Sequence, residues 1–317
     1  MAKAKPFVKW VGGKGQLIEQ LEALLPADFD KRENLTYIEP FLGGGAMLFH
    51  ILQYHPNISS AVINDINKEL IICYNIVKNN PSELVNNLSL IQKEYFSLSS
   101  EDVKKSFFIK MRDKFNNGGL TNVECASLFI FLNRTCFNGL YRVNKSGKFN
   151  VPFGKYEKPT ICDTSTIYAD SELLKHVTIL NGDFEETLRY ASNNSFFYFD
   201  PPYRPLSKTS SFNDYSKEAF NDDSQIRLKL FCDKINDIGH FFMLSNSDCS
   251  AKDKKDTFFD ELYSLYNINR VFACRNINAI ASKRGKLTEL LIRNYTNLSY
   301  SSTHLSIVAE PQNEYRK

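Results

Sequence analysis

Short apolar runs alternate with longer amphipathic segments along this chain. The run Phe196-Phe197-Tyr198-Phe199 is continuous in aromatic residues, which is typical of a strand buried in an α/β sheet. A strand that begins at Tyr37 and another over residues 60–65 have the same short, apolar character. The remaining predicted strands are residues 176–180, 240–245, 267–272 and 287–293, of which the last two form a terminal hairpin pair.

Apolar residues at helical spacing mark the segments between these strands. In residues 14–25, for example, leucine and isoleucine recur at helical spacing before Pro26. The other predicted helices follow the glycines at 43–45, begin near Asn67, and cover residues 81–132, 183–190 and 216–238, with residues 126–132 as a buried helix. Strands and helices alternate at both ends of the chain but not in its middle. We therefore predict an α/β fold in which residues 1–75 and 176–317 form one layered domain and residues 76–175 a mostly helical insertion.

The composition is that of an ordinary globular protein, with 317 residues, 43% hydrophobic and 24% charged. The net charge of +3 is too small to indicate a nucleic-acid partner by itself. No apolar run reaches the ~18 residues of a membrane span, and the amino terminus lacks the apolar core of a signal peptide. The seven cysteines contain no CxxC pair and the five histidines are scattered. These patterns predict a cytoplasmic protein with reduced thiols, no membrane association and no metal site.

The aromatic run at 196–199 ends in Asp200-Pro201-Pro202-Tyr203. Two successive prolines cannot continue a strand or a helix, so the chain leaves the sheet abruptly at a carboxylate. Open α/β sheets bind their ligands at the carboxyl ends of strands. We interpret the tetrapeptide as a site for the exocyclic amine of a flat base. The Asp200 carboxylate and the Pro201 carbonyl each accept one N–H, and Tyr203 stacks on the ring. The simpler alternative is that Asp200 only caps the turn.

A glycine-rich turn follows the strand that begins at Tyr37. Residues 43–45 are all glycine, which allows positive φ and close approach of the backbone to a ligand. The next strand ends at Asp65, about 20 residues further on, where an acid commonly binds ribose hydroxyls. Because the pattern is not that of a dinucleotide-binding turn, we expect one nucleoside-like cofactor. The alternatives are that Asp65 caps the helix near Asn67 and that the glycines form a packing turn.

Taken together, these motifs resemble those of the Dam-type DNA adenine-N6 methyltransferases, including the alpha-group modification enzymes of restriction systems. The matching segments, in the family's order, are residues 9–14, 39–45, 64–67, 133–142 with 150–154, and 200–203. The resemblance implies a Rossmann-like S-adenosylmethionine-dependent methyltransferase sheet carrying a DNA-recognition insertion. It also implies catalysis by Asp200, Pro201, Pro202 and Tyr203. The expected cofactor-binding residues are Trp10, Lys14, Glu39, Phe41, Gly43, Asp65, Ile66, Asp183, Phe184 and Asp200.

The segment from residue 131 to 160 is the expected DNA-binding region. Basic and aromatic residues are interleaved there on a glycine-rich loop, which suits contacts to phosphates and base edges, although a solvated surface loop has a similar composition. By resemblance, Lys9 and Arg142 reach guanines, Leu140 contacts a thymine methyl group, and Phe137 or Asn138 fills the space left by a flipped base. The full expected set is Lys9, Arg134, Phe137, Asn138, Leu140, Arg142 and Lys155. Thr135-Cys136-Phe137 departs from the Tyr-Gly-Tyr that is usual in the enteric enzymes.

The function expected from the resemblance is methyl transfer from S-adenosylmethionine to adenine N6 in double-stranded DNA, within GATC and with the base flipped. Two alternatives stay open. One is an amino methyltransferase that acts on cytosine N4, RNA or a protein amide. The other is a non-catalytic DNA-binding protein on this scaffold. We expect a monomer whose relation to any restriction endonuclease is functional rather than physical.

Overall fold

A seven-stranded sheet organises the computed structural model, which describes residues 2–204, 220–273 and 287–296. Its strands lie in the order β3-β2-β1-β4-β5-β7-β6. Their bounds are β1 Leu35–Glu39, β2 Ile58–Asn64, β3 Val177–Leu180, β4 Ser195–Phe199, β5 Phe241–Ser247, β6 Asn267–Ala273 and β7 Leu287–Arg293. The strand positions therefore agree with the apolar runs of the sequence.

The pairing of the strands identifies the ligand-binding edge. β1 runs parallel to both β2 and β4, and β5 runs parallel to β4. β7 is antiparallel to β5 and β6, which confirms the predicted terminal hairpin pair. The strand order reverses between β1 and β4, and open α/β sheets bind ligands in the crevice at such a switch point. This sheet confirms the predicted Rossmann-like architecture.

Nine α-helices lie in the described part of the chain. They are α1 Ile18–Glu22, α2 Ala46–Tyr54, α3 Lys68–Asn79, α4 Pro81–Ser97, α5 Glu101–Asn117, α6 Asn122–Thr135, α7 Thr164–Leu174, α8 Asp222–Asp237 and α9 Phe258–Leu262. The helix predicted over residues 14–25 is shorter, because a 3-10 turn at Lys14–Gln16 precedes α1. Residues 184–190 are also 3-10 rather than α-helical. Residues 216–219 of the predicted helix 216–238 lie outside the described residues.

The predicted helical segment 81–132 consists of three helices whose ends have local causes. The Ser100 side chain accepts a hydrogen bond from the Val103 amide and starts α5, and Gly118, at φ +72°, ends it. A reciprocal capping box between Thr121 and Glu124 starts α6. All residues from 126 to 132 are buried, as predicted, because α6 packs against α3, α4 and α5.

Both faces of the sheet are covered, as the apolar run in β4 predicts. Phe196 and Tyr198 belong to one core, together with residues of α2, α3 and α6. Phe197 and Phe199 point the opposite way and pack with Leu228 of α8. Alternate residues of β4 therefore bury against two layers of helices. Within residues 2–204, 220–273 and 287–296, no helix is both long and apolar enough to span a bilayer.

Candidate active site

The residues predicted to be functional gather at the carboxyl ends of the central strands. Glu39 is the last residue of β1, Asn64 the last of β2, and Asp200 directly follows β4. Since β1 lies between β2 and β4 in a parallel arrangement, these strand ends meet at one edge of the sheet. Asn64 reinforces the edge by donating to the Pro40 and Gly182 carbonyls, both at 3.0 Å. The candidate site thus lies at the topological switch point.

A buried lysine lies at the centre of this site. Lys14 is only 4% exposed, and its Nζ lies 2.7 Å from Oδ1 of Asp200 and 3.7 Å from Oε2 of Glu289. The same Nζ donates to the Gly12 carbonyl and lies 4.6 Å from the centre of the Tyr203 ring. Lys14 is therefore held by two carboxylates and an aromatic face in a region with little water.

Glu289 completes this cluster, although the sequence did not identify it. It lies in β7, and its Oε2 accepts a hydrogen bond of 2.7 Å from the Tyr203 hydroxyl. The only sequence signal for its role is an acid inside the mostly apolar segment of residues 287–292. The bond fixes the orientation of the Tyr203 ring, and that ring borders the predicted place of the target base.

Burial controls the charge state of the site. It raises the pKa of Asp200, and the positive charge of Lys14 opposes that rise. Burial also raises the pKa of Glu39 well above its usual range, although the Tyr37 hydroxyl donates to this carboxyl at 2.8 Å. The charge of Asp200 raises the pKa of Glu39 further. Lys14 is thus the main group that favours the ionised form of Asp200, and a hydrogen bond from Tyr203 acts in the same direction.

The turn after β4 is anchored by polar residues outside the predicted set. Gln225 of α8 donates to the Pro202 carbonyl at 3.1 Å, and Asn246 of β5 donates to Gln225 at 3.0 Å. Both amide side chains are fully buried. The path of the chain through the two prolines is therefore fixed by hydrogen bonds from α8 and β5.

The glycine turn between β1 and α2 is shaped by close approach to its neighbours. Gly43 and Gly45 adopt φ of +50° and +70°. A Cβ at Gly43 would lie 2.7 Å from the Trp10 ring, and one at Gly45 would lie 2.6 Å from the Tyr74 hydroxyl. Any larger residue at either position would clash. Packing against Trp10 and Tyr74 accounts for glycine at both positions, so the alternative of a packing turn stays open and the cofactor contact of residues 43–45 stays a prediction.

Asp65 holds this turn in place. Its Oδ2 accepts from the Gly43 amide and its Oδ1 from the Asn67 amide, both at 2.9 Å. Burial raises the Asp65 pKa, and these backbone bonds oppose the rise. The cap of α3 is instead Asn67, whose side chain accepts from the Leu70 amide at 2.8 Å. The alternative of Asp65 as the helix cap is therefore wrong, whereas its ribose contact stays a prediction.

Trp10 lies between the glycine turn and Tyr141 of the predicted insertion. Its ring stacks on Tyr141 with centroids 5.8 Å apart and an angle of 18° between the planes. The indole also lies against the Gly43 turn described above. Its predicted role in cofactor binding stays a prediction. A bound ligand at the turn would have Trp10 as one wall.

The remaining predicted cofactor residues lie at the ends of β1, β2 and β3. The rings of Phe41 and Phe184 pack at 5.2 Å. Asp183 caps the 3-10 helix by accepting from the Glu185 amide, and it forms an ion pair with Arg227. Ile66 is 72% exposed, so it offers an unpartnered apolar surface beside Asp65.

These residues fit a nucleoside-like cofactor. The fit rests on the narrow Gly43 turn, the Asp65 carboxylate beside it, and the exposed Ile66 next to that carboxylate. Aspartate oxygens suit hydroxyl donors, and apolar side chains suit the faces of a flat base.

In the predicted DNA-binding segment, residues 137–139 form a 3-10 turn whose first two residues are exposed. Phe137 is 51% exposed at its start, and Asn138 has φ of +55°. Phe137 is therefore not a core residue, and its role in filling vacated space stays a prediction. At Gly139, a Cβ would lie 2.4 Å from the Lys9 side chain, so this turn packs tightly on residue 9.

Asn133 is a further residue that the sequence did not assign to the site. It is buried, its Oδ1 accepts from the Lys9 amide at 2.8 Å, and its Nδ2 donates to the Lys9 and Gly139 carbonyls at 2.8 and 2.9 Å. Its side chain therefore fixes Lys9 and the 137–139 turn together. The Lys9 Nζ lies 4.6 Å from the centre of the Tyr156 ring.

The other predicted DNA-binding residues differ in their surroundings. Arg142 is exposed and donates to Asn150 Oδ1 at 2.8 Å, and Leu140 beside it is half-buried. Lys155 is exposed but paired with Glu101 at 2.6 Å. Arg134 is half-buried and donates to the Phe7 carbonyl at 2.7 Å, and burial lowers its pKa. In this structure Arg134 therefore supports the amino-terminal segment, and its DNA contact stays a prediction.

Comparison with known proteins gives one consistent family. The sequence profile of the D12 class of N6 adenine-specific DNA methyltransferases matches residues 10–277. The chain is 47% identical over 296 residues to the type II methyltransferase M.MjaIII of Methanocaldococcus jannaschii, covering 92% of this chain and 100% of that protein. It is 38% identical over 298 residues to the type II methyltransferase M1.LlaDCHI of Lactococcus lactis subsp. cremoris, covering 92% and 96%. It is 32% identical over 292 residues to a DNA adenine methylase of Vibrio cholerae, also covering 92% and 96%.

Proposed function

The chain belongs to the D12 class of N6 adenine-specific DNA methyltransferases, and on that basis we propose that it methylates adenine N6 in double-stranded DNA with S-adenosylmethionine as the methyl donor. The observation that carries this proposal is the Asp200 carboxylate, bonded to buried Lys14 at the switch point of the sheet and bordered by Tyr203. The Gly43 turn and Asp65 are the residues that would hold the cofactor beside it.

The chemistry requires orientation more than it requires a nucleophilic side chain. When bound, S-adenosylmethionine supplies an electrophilic methyl group on sulfur. The Asp200 carboxylate and the Pro201 carbonyl each accept a hydrogen bond from one N–H group of the adenine amine. These two hydrogen bonds favour a pyramidal nitrogen. Tyr203, held by Glu289, stacks on the base and orients it. The side chains thus act by positioning and electrostatics.

An adenine inside a duplex can reach this site only after it has been flipped out, at a cost of a few kcal/mol. Phe137, half exposed on its turn, is suited to fill the space that the base leaves. We assign DNA recognition to residues 76–175, with Lys9 and Arg142 reading guanines in GATC. This assignment rests on the resemblance of residues 133–154 to the Dam-type segment.

A functional pairing with a restriction endonuclease is proposed as well, because two of the relatives are named type II methyltransferases. For the substrate, no contact of the described residues favours cytosine N4, RNA or a protein amide over adenine. The match to an adenine-specific class over most of the chain supports adenine. It equally supports an enzyme over a non-catalytic DNA-binding protein.

Transfer of labelled methyl groups to a duplex with a single GATC tests the catalytic assignment. We expect Asp200→Ala and Asp200→Asn to lose at least ~1.4 kcal/mol of transition-state stabilisation, which corresponds to a tenfold lower rate. Asp223→Asn, in the exposed first turn of α8, is the matched control and should keep full activity. If either Asp200 variant retained more than about a tenth of the wild-type rate, the assignment would be refuted.

Digestion of plasmid from an expressing strain tests the recognition sequence. The plasmid should resist an endonuclease that is blocked by GATC adenine methylation, and its hydrolysate should contain N6-methyladenine. Plasmid from a strain that expresses Asp200→Ala serves as the control. If the plasmid contained N6-methyladenine but were still cut at GATC, the proposed recognition sequence would be wrong, whereas the proposed adenine methylation would stand.

A further inference from the structure

A cluster of imidazole and carboxylate groups lies away from the site described above. Glu22 ends α1, His50 lies in α2, and His55 directly follows α2. One side-chain atom of each, suitable for binding a metal, lies within 4.8 Å of the others. His55 precedes the amino end of β2, whereas Asp200 follows the carboxyl end of β4. The cluster is therefore at the edge of the sheet opposite the catalytic residues.

The hydrogen bonding of His55 is unusual because a carboxylate faces each ring nitrogen. Asp30 Oδ1 lies 2.6 Å from Nδ1, and the Glu22 carboxylate lies 3.1 Å from Nε2. A neutral imidazole carries only one N–H, so it can donate to one of these carboxylates. A metal ion bound at Nε2 would leave the N–H at Nδ1 for Asp30. His55 is 4% exposed, whereas the side chains of Glu22 and Asp30 are 38% and 72% exposed, so the cluster can be reached from solvent on its carboxylate side.

His50 converges on the same carboxylate. Its Nε2 lies 2.8 Å from Glu22 Oε2, and the Nε2 of His55 lies 3.1 Å from the same oxygen. A cation bound among these three side chains would replace the two hydrogen bonds, bind both imidazole nitrogens and offset the charge of Glu22. The competing arrangement is the set of hydrogen bonds alone.

The donor set is one that a transition metal prefers. Two imidazoles and one carboxylate are typical ligands of zinc, with bond lengths of about 2.0–2.2 Å. A ligating histidine usually donates its other N–H to a carboxylate, which fixes the ring and its tautomer. Asp30 is the carboxylate that faces the other ring nitrogen, Nδ1, of His55. Magnesium and calcium, which prefer all-oxygen sites, do not fit two imidazoles.

We propose that Glu22, His50 and His55 bind a zinc ion, with Asp30 orienting His55 and a water in the fourth position. The ion would tie α1, α2 and the 3-10 turn at residues 29–31 to one another. Its role is structural, because the site lies at the opposite edge from Asp200. The proposal departs from the expectation of no metal site, and it does not depend on the methyltransferase function.

Titration of zinc into the full chain tests this proposal. The protein carries no histidine tag, is stripped with a chelator, and is studied by calorimetry and by thermal unfolding. We expect one zinc per chain and a rise in the unfolding temperature, whereas magnesium should have no such effect. Bound Co²⁺ should show visible absorption typical of nitrogen and oxygen ligands.

Four variants separate the site from adventitious binding. His50→Gln and Glu22→Gln should weaken zinc binding at least ~10-fold, and Asp30→Asn should weaken it about 10- to 100-fold. His176→Gln, an exposed histidine outside the cluster, should bind as the wild type does. Circular dichroism without zinc verifies that each variant is folded. No zinc binding by the wild type, or equal binding by the His50 and Glu22 variants, would overturn the proposal, and the cluster would then be a set of hydrogen bonds among Glu22, Asp30 and the two histidines.

Discussion

Replacing Lys14 by methionine tests how the site controls the charge of Asp200. The lysine Nζ lies 2.7 Å from the Asp200 carboxylate, and it is the largest influence that opposes the effect of burial on the pKa of that group. Methionine has a similar length and no charge, so the substitution removes the cation while filling its space. The carboxylates of Asp200 and Glu289 would then lie near each other without a positive charge between them.

The magnitude follows from the distance and the burial. An opposite charge within about 4–6 Å lowers a carboxyl pKa by ~1–3 units, which corresponds to about 1.4–4 kcal/mol. Losing Lys14 should raise the pKa of Asp200 by that amount. Because the ionised carboxylate accepts the N–H hydrogen bond of the adenine amine more strongly than the protonated acid does, the rate near neutral pH should fall. It should recover as the pH rises through the new pKa.

The assay is kcat/KM for methyl transfer across the pH range in which the enzyme stays folded. The acid limb of the profile should move to higher pH by ~1–3 units in Lys14→Met. Lys14→Arg, which keeps the charge, should leave the limb close to its wild-type position. A rate lowered by the same factor at every pH would refute this reasoning. Lys14 would then act through cofactor binding or packing alone.

Three further changes test other parts of the structure. Asp65→Ala should raise the cofactor dissociation constant several-fold in calorimetry, because it removes charge-assisted hydrogen bonds and the anchor of the Gly43 amide, and unchanged affinity would leave Asp65 with a purely local role. Arg142→Ala should reduce the discrimination between bases at one base pair by about 1–3 kcal/mol, as measured on every single-base variant of GATC. Lys148→Ala, which removes an exposed charge, should instead weaken binding to all of these sequences about equally. Burial raises the pKa of Asp170 to about 8, so the folded chain holds a proton that the unfolded chain releases near pH 4. The contribution of protonated Asp170 to the free energy of unfolding is complete below pH ~4 and decreases by about 1.4 kcal/mol per pH unit up to pH ~8. In urea unfolding, the Asp170→Asn variant should lack this decrease.

The fold was largely predictable because its strands are short apolar runs with clear ends. The alternation of β4 residues between two cores follows directly from five consecutive buried positions. Helix ends were less predictable, since they depend on single capping contacts such as Ser100 with Val103. The 3-10 turn before α1 was missed because leucine spacing alone does not distinguish it from an α-helix.

Residues close to one another in the chain were predictable as site residues, and residues brought together by folding were not. Asp200 and Gly43 lie in recognisable local motifs. Glu289 lies 86 positions from Tyr203, and only the pairing of β7 with β5 places it beside that ring. The histidines at 50 and 55 are scattered in sequence, and they meet at Glu22 only because α1 packs against α2.

Asn133 illustrates how the folded chain connects the residues predicted to read the base sequence with those predicted to be catalytic. Its side chain holds both main-chain polar groups of Lys9 and also the Gly139 carbonyl, so the exposed turn at residues 137–139 and the amino-terminal segment are fixed together. From Lys9 the chain continues through Trp10, which packs on the glycine turn, to Lys14, which is bonded to Asp200. Six consecutive residues, 9–14, thus contact the predicted DNA-reading turn, the predicted cofactor turn and the predicted catalytic carboxylate, because Asn133 bonds Lys9 to Gly139 while Lys14 bonds Asp200.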